Sequence, residues 1–139
     1  VGVVETILNS KSYILNSKKV AVVGLGFLIG KPIATWLTGK TSEIFLLDEG
    51  SDLSALKRTD LVISGVGKTG LIKPEMLKND AGVIDFGYDI VDGKISGDLD
   101  STNFSISQFL NFYTPTPGGT GPILVAKIFE NFYTLTQRE

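Results

Sequence analysis

The fold is decided by the stretch KVAVVGLGFLIGKP, residues 19–32. An apolar, β-branched run meets three glycines in a G-x-G-x-x-x-G spacing, and an amphipathic segment follows. This order predicts a buried strand, a tight turn and the start of a helix. Such a turn lets the backbone approach a pyrophosphate, and the free amides of the helix N-terminus face the anion. The motif therefore predicts a dinucleotide site with the binding residues Gly24, Leu25, Gly26, Ile29 and Gly30.

Composition indicates one domain over residues 1–139, of which 42% are apolar and 20% charged. The net charge of -2, without a basic run, argues against nucleic-acid and anionic-membrane partners. Because the sequence has no Cys and no His, disulfides, thiolate nucleophiles, Cys or His metal sites and a Ser-His-Asp triad are excluded. No apolar run approaches the about 20 residues of a membrane span, and we expect a cytoplasmic protein. Since the first residue is Val1 and not Met, we expect a domain of a longer protein.

Predicted strands and helices alternate along the chain, which is typical of a three-layer, doubly wound, Rossmann-like α/β fold with a mostly parallel sheet. Asp92-Gly93 predicts a hairpin, and Asp52 is a candidate N-cap for a short crossover. Strands are predicted at 19–23, 43–47, 61–64, 83–86 and 112–114, and helices over the first residues, over 30–38, and from Pro122, as the first helical residue, to about 135.

Four loops are predicted to meet at one edge of this sheet. Ligands on such sheets bind beyond the carboxyl ends of the strands, at the point where the strand order reverses. The glycine turn follows the first strand, and loops from three other parts of the chain follow the next strands. We therefore add Asp48, Gly65, Val66, Gly67 and Tyr88 to the expected cofactor-binding residues.

Five motifs in a fixed order carry a family resemblance: VVGxxxxIGKP, TDLVISGVGK, VIDFGY, DGKISGDLD and YTPTPGGTGP. Over residues 1–131 the chain resembles the nucleotide-binding half of the bifunctional methylenetetrahydrofolate dehydrogenase/cyclohydrolases. The resemblance implies hydride transfer from methylenetetrahydrofolate to NAD or NADP, followed by hydrolysis of the methenyl product to formyltetrahydrofolate. The resemblance also implies that the catalytic Lys and its Tyr partner belong to an N-terminal folate domain. In agreement, no Tyr-x-x-x-Lys occurs in this chain. We expect no catalytic residue in this chain, which binds cofactor but is inactive alone.

The segment 114–122 is the most specific part of the resemblance. Its glycines open the final helix beside the predicted cleft, where they permit close approach of the backbone to cofactor or substrate. Pro115 and Pro117 stiffen the loop, and the sequence does not say which X-Pro bond is cis. Gly118, Gly119 and Thr120 complete the expected cofactor-binding set.

Two positions bear on the choice between NAD and NADP. The family commonly has Arg where this chain has Leu25, and that Arg helps to hold the 2′-phosphate of NADP. Asp48 lies about twenty residues beyond the glycines, where a carboxylate bonds the ribose 2′-hydroxyl and repels a 2′-phosphate. Leu25 and Asp48 favour NAD, whereas the cofactor usual in the family the chain resembles is NADP.

Several positions leave two interpretations open. Asp48 bonds the ribose or is a solvated turn residue, and Lys68 faces the nicotinamide side of the cleft or is a solvated loop residue. Tyr88 meets the nucleotide or is a packing residue. Asp85 is either a polar group of the cofactor pocket or, as we favour, a buried carboxylate satisfied by loop amides. At the level of the whole chain, the alternatives are a stand-alone NAD-binding sensor module and the nucleotide domain of another Rossmann dehydrogenase.

The final helix is apolar on almost every side. Its polar residues form one narrow stripe, so most of its circumference is apolar. A helix that packs on one sheet needs only about a third of its circumference to be apolar. Two apolar sides indicate two partners, the second being the absent folate domain or the second subunit of a homodimer. The alternative is that Phe104, Phe109 and Phe112 cover the second side from within. The stripe consists of Lys127, Glu130, Asn131 and Thr134.

Overall fold

A computed structural model describes residues 1–102 and 105–137. Two 3-10 turns, Leu53–Arg58 and Pro74–Met76, connect strands. The helices are α1 (Gly2–Ser10), α2 (Gly30–Leu37), α3 (Ile106–Phe109) and α4 (Thr120–Thr136), and the strands are β1 (Lys19–Val23), β2 (Glu43–Leu47), β3 (Leu61–Ser64), β4 (Gly82–Asp85), β5 (Asp89–Val91), β6 (Lys94–Ser96) and β7 (Phe112–Tyr113).

Five strands form one parallel sheet in the order β2-β1-β3-β4-β7, and β5 pairs with β6 as a separate hairpin. From β1 the chain continues to β2 on one side and then returns to β3 on the other. The strand order therefore reverses between β1 and β3, where Val23 lies opposite Ser64. Residues after β1, β2 and β3 consequently emerge at the same edge, which we call the carboxyl edge.

Alternate side chains of β1, β3 and β4 enter two separate cores, because successive residues of a strand point to opposite faces. Val22 and Ile63 pack with α1 and α2 on one face. Val23 and Val62 pack with the 3-10 turns and α3 on the other face. Burial of both faces is why these strands read as continuous apolar runs. The predicted doubly wound α/β architecture is confirmed.

Some predicted element boundaries are wrong by one or two residues. Helix α4 begins at Thr120, so Pro122 is its third residue and not its first. The first-turn amides of a helix have no intrahelical partner, which lets a proline occupy that position. Strand β4 runs from Gly82 to Asp85, and β7 ends at Tyr113.

Two local features answer predictions made from the sequence: one confirms a helix cap, and the other identifies the cis bond that the sequence left open. Asp52 caps the first 3-10 turn, since its Oδ1 accepts a hydrogen bond of 2.8 Å from the Ser54 amide. The cis bond of the proline-rich loop is Thr116–Pro117.

Helix α4 leaves most of its apolar surface uncovered. Only Ile123 and Lys127 of its last fifteen described residues are half-buried, whereas Phe129 is 69% exposed. Phe109 and Phe112 pack in the two cores, so the alternative that they cover the second side of α4 is wrong. The third candidate, Phe104, lies outside the described residues. Within 1–102 and 105–137, no helix is both long and apolar enough to cross a membrane.

Candidate functional site

A cavity of about 490 Å³ opens at the carboxyl edge between the ends of β1, β2 and β3. We call it the glycine-turn cavity. Six of the expected cofactor-binding residues line it, namely Gly24, Leu25, Gly26, Asp48, Gly65 and Val66. Lys68, for which the sequence left open the nicotinamide side of the cleft or a solvated loop, also lines this cavity. The sequence did not single out the other lining residues, which are Val23, Glu49, Gly50, Ser51, Leu53 and Leu71.

Each of the three glycines of the turn occupies its position for a different steric reason. Gly24 has a φ of +84°, and an added Cβ would lie 2.9 Å from Cγ2 of Val66. A Cβ on Gly30 would collide with the carbonyl oxygen of Gly24, so α2 begins in direct contact with the turn. Gly26, in contrast, has nothing within 4 Å of the added atom. The middle glycine thus leaves open space at the N-terminus of a helix whose N-cap makes no side-chain hydrogen bond.

Asp48 reaches from the end of β2 towards the glycine turn. Its amide donates to Oγ of Ser51 at 2.9 Å, and its carbonyl accepts from the Ser51 amide at 2.9 Å. Its exposed Oδ1 accepts from the Leu25 amide at 3.4 Å, a long bond that a ligand hydroxyl can replace. Glu49 lines the same part of the cavity, so two carboxylates stand where β2 ends.

A second cavity of about 450 Å³ lies beside the proline-rich loop, and we call it the proline-loop cavity. Five more expected residues line it: Ile29, Tyr88, Gly118, Gly119 and Thr120. The loop is tightly folded, because a Cβ on Gly119 would lie 2.9 Å from Cβ of Thr114. Oγ1 of Thr120 donates to the Asp85 carbonyl at 3.0 Å, which ties the start of α4 to the end of β4.

The two cavities adjoin through the contact between Ile29 and Gly65. A Cβ on Gly65 would lie 2.8 Å from Cγ2 of Ile29, and these residues line different cavities. The remaining expected residues, Gly30 and Gly67, line neither cavity. Gly30 is buried beneath the turn, and Gly67 supports the β3 loop with a φ of +74°. The glycine-turn cavity contains the carboxylates of Asp48 and Glu49, whereas no charged side chain among the described residues lines the proline-loop cavity. We refer to the two neighbouring cavities together as the cleft.

Two buried carboxylates lie beneath this cleft. Asp85 accepts hydrogen bonds from the amides of Gly87 (2.6 Å) and Leu99 (2.9 Å), which confirms the interpretation as a buried carboxylate satisfied by loop amides. Burial raises the pKa of the Asp85 carboxyl, although these amides favour its charged form. The second carboxylate, Asp98, is 0% exposed and was not singled out from the sequence. The hydrogen-bond partners of its side-chain oxygens are at least 30 residues away, so no local signal could have found them.

Comparisons with known sequences agree with this geometry. A family model described as "Tetrahydrofolate dehydrogenase/cyclohydrolase, NAD(P)-binding domain" matches residues 1–139. The "Bifunctional protein FolD" of Leuconostoc mesenteroides is 40% identical over 140 residues, which cover 97% of this chain and 49% of that protein. That of Macrococcus caseolyticus is 36% identical over 139 residues, 99% of this chain and 48% of that protein. The chain thus spans about half the length of the curated relatives it matches.

Solved structures of similar proteins share the fold. The bifunctional FolD enzyme of Campylobacter jejuni superposes with a TM-score of 0.86 at 30% identity, covering 93% of this chain and 46% of that chain. The methylenetetrahydrofolate dehydrogenase-cyclohydrolase of Trypanosoma brucei, described as complexed with NADP cofactor and inhibitor, gives a TM-score of 0.87 at 28% identity. This second match covers 98% of this chain and 49% of that chain.

Proposed function

This chain belongs to the tetrahydrofolate dehydrogenase/cyclohydrolase family, and we propose that it is the dinucleotide-binding half of a longer enzyme of one-carbon metabolism. That enzyme oxidises methylenetetrahydrofolate to methenyltetrahydrofolate with NAD(P) and hydrolyses the product to formyltetrahydrofolate. The observation that carries the proposal is the meeting of loops after all five parallel strands around two adjoining cavities.

The cleft fits a dinucleotide in its shape and in its donors. Gly26 leaves backbone open beside the first turn of α2, where free amides and the helix dipole favour a pyrophosphate. The glycine-turn cavity would hold the adenosine end, and Asp48 would accept a hydrogen bond from its ribose. When bound, the dinucleotide supplies the hydride acceptor for the oxidation.

The proline-loop cavity suits the other end of the dinucleotide. Ile29, Phe86 and Leu124 give it an apolar lining that excludes water from a bound ring. Tyr88, which is 60% exposed at the same cavity, would bound the ring on the open side. Residues of this chain thus orient the cofactor, and no group of the chain is assigned a proton transfer.

We propose NAD as the preferred cofactor, unlike the NADP in the described Trypanosoma brucei complex. Asp48 and Glu49 line the cavity near the position proposed for the ribose, and Leu25 supplies no cation to balance a 2′-phosphate. Like charges a few ångströms apart cost on the order of 1–4 kcal/mol near a protein surface. The preference for NAD should therefore be about tenfold or more.

Catalytic groups and the folate site are proposed to come from the half of the longer protein that this chain does not span. The cation lining the described cavities is Lys68, and the sequence has no Tyr-x-x-x-Lys. Exposed apolar residues of α4, among them Phe129 and Phe132, would pack against that other half. From the resemblance we also propose that the longer protein forms a homodimer. Its sedimentation would measure the number of subunits.

A chimera tests the proposal. The matching half of the Macrococcus caseolyticus protein is replaced by this chain, and oxidation of methylenetetrahydrofolate is followed through the absorbance of the reduced dinucleotide. We expect activity with NAD in the chimera and none in this chain alone or in the remaining half alone. A folded chimera that binds folate but neither dinucleotide would contradict the proposal.

A further inference from the structure

Alternate amides of the loop after β3 donate hydrogen bonds to one short segment elsewhere in the chain. The Val66 and Lys68 amides donate to Oδ2 and Oδ1 of Asp98, each at 2.8 Å. Two and four residues further on, the Gly70 amide donates to the Gly97 carbonyl at 3.2 Å, and the Ile72 amide donates to the Asp98 carbonyl at 2.8 Å. A single dipeptide therefore fixes four amides of a loop that lines the glycine-turn cavity.

Asp98 is placed there by the β5–β6 hairpin, which the parallel sheet does not include. The chain departs at Gly87 and returns at Gly97, and both positions exclude a side chain. A Cβ on Gly87 would overlap the Asp98 carboxylate, and a Cβ on Gly97 would overlap the Asp85 carboxylate. The hairpin thus brings Asp98 beneath the β3 loop, and at both of its ends the chain has room only for glycine.

The Asp98 carboxylate has three donors and is fully buried. Besides the two amides it accepts from Oγ of Ser64, the last residue of β3, at 2.5 Å. A buried charge is expensive unless hydrogen bonds satisfy it, and bonds to an ionised acceptor are stronger than neutral ones. The loop is therefore bound to Asp98 more firmly than by an ordinary turn.

Two of these contacts bear directly on the cleft. Val66 and Lys68, whose amides Asp98 fixes, both line the glycine-turn cavity. Val66 also bounds the turn, because its Cγ2 occupies the space that a side chain at Gly24 would need. A shift of this loop would change the width of the cavity at the point where the sheet order reverses.

We propose that Asp98 is a positioning residue for the dinucleotide site, which fixes Val66 and Lys68 on the cavity wall and so sets the affinity for the dinucleotide. This role rests on the proposed function, because it concerns the same cleft. Asp98 does not touch the ligand and acts through the loop alone.

The test compares three variants by calorimetric titration with NAD. Asp98→Asn keeps the volume of the side chain but replaces an acceptor by a donor that faces amides, and we expect at least tenfold weaker binding. Ser64→Ala removes one of the three donors and leaves both amides, so we expect about threefold weaker binding, within the range for one hydrogen bond. Asp60→Asn is the control, because Asp60 binds the Lys19 amide at the amino end of β1; NAD affinity should not change.

Amide hydrogen exchange without nucleotide supplies the second readout. We expect the Val66 and Lys68 amides to exchange at least tenfold faster in Asp98→Asn and at wild-type rates in Asp60→Asn. If Asp98→Asn does not fold, the intermediate effects expected for Ser64→Ala decide. Unchanged affinity or unchanged exchange, with wild-type binding intact, overturns the role of Asp98 alone. Failure of the wild-type chain to bind either NAD or NADP overturns the proposed function as well.

Discussion

The two ends of the parallel sheet hold aspartates in opposite ways. At the amino end, Asp60 accepts from the Lys19 amide at 2.9 Å and pairs with the Lys78 ammonium at 2.6 Å. At the carboxyl end, the described partners of Asp85 and Asp98 are amides and hydroxyls, and no lysine or arginine pairs with either within the described chain. Burial opposes ionisation of Asp60, yet its amide and ammonium partners lower its pKa, whereas burial raises the pKa of Asp85.

The difference shows where this fold accepts an energetic cost. The amino end uses a partly exposed ion pair that supports stability. The carboxyl end buries charge on loop dipoles and replaces side chains by glycine, so that two cavities remain open. Natural proteins depart from local stability rules mainly at functional sites. Substitutions at the two ends should therefore separate stability from binding.

Gly30→Ala should give the largest effect, at the carboxyl end. The added Cβ meets the backbone carbonyl of Gly24, which cannot rotate away as a flexible side chain would. We expect a loss of about 2–3 kcal/mol in the free energy of unfolding, as for overpacked cores, together with loss of NAD binding. Urea unfolding followed by the fluorescence of Trp36, the single tryptophan, measures it.

Gly26→Ala is the matched control within the same motif. Nothing lies within 4 Å of its added Cβ, so the free energy of unfolding should change by less than about 0.5 kcal/mol. Equal destabilisation by the two variants would refute the steric explanation of the turn.

Leu25→Arg combined with Asp48→Ser should reverse the cofactor preference. The change removes a carboxylate and adds a cation beside the proposed ribose position. We expect the ratio of NADP affinity to NAD affinity to rise at least tenfold, about 1.4 kcal/mol. Parallel titrations with the two dinucleotides measure the ratio, and an unchanged ratio would remove Asp48 from the specificity argument.

Asp60→Asn should lower stability without affecting NAD binding. Its side chain is 19% exposed and Lys78 is 49% exposed, so we expect about 1 kcal/mol at neutral pH. Because the folded-state pKa of Asp60 is lowered, this stabilisation is present above the unfolded pKa of about 3.9 and is lost as pH falls through the lowered value. Unfolding at several pH values tests the sign: a difference that grows on acidification would contradict it.

Phe129→Ser with Phe132→Ser should have the smallest effect on this chain. Both side chains are about two-thirds exposed, at 69% and 67%, and Phe and Ser have similar helix propensities. We expect less than about 0.5 kcal/mol in the free energy of unfolding of the chain and a larger loss in the chimera. Leu37→Ala, at a fully buried helix position, is the control and should cost about 2–5 kcal/mol. If the two phenylalanine changes lowered the free energy of unfolding of the chain by a similar amount, the apolar face of α4 would have to be packed and not exposed.

The sequence predicted what local patterns determine. The β-branched runs marked β1 and β3 because both of their faces are buried. Glycine spacing and the positions of strand ends predict that Gly24, Asp48 and Gly65 meet at one edge, and all three line the glycine-turn cavity.

What the sequence did not reveal depends on long-range contacts. The Asp98 carboxylate meets the end of β3 and the loop after it across 30 to 34 residues. Its segment belongs to the motif DGKISGDLD, which by itself indicates no contact with β3. Leu71 lines the glycine-turn cavity because the β3 loop returns along the segment of Asp98, which no periodicity encodes. The start of α4 was misplaced because the proline was assigned to the first helical position, whereas two residues of the glycine loop already belong to the helix.

Calorimetric titration of this chain with NAD and with NADP at one salt concentration tests the central claim most directly. If the carboxyl edge is a dinucleotide site in which Asp48 meets the ribose, NAD binds about tenfold or more tightly than NADP. Equal or tighter binding of NADP would contradict the role of Asp48, and binding of neither would contradict the dinucleotide site in this chain.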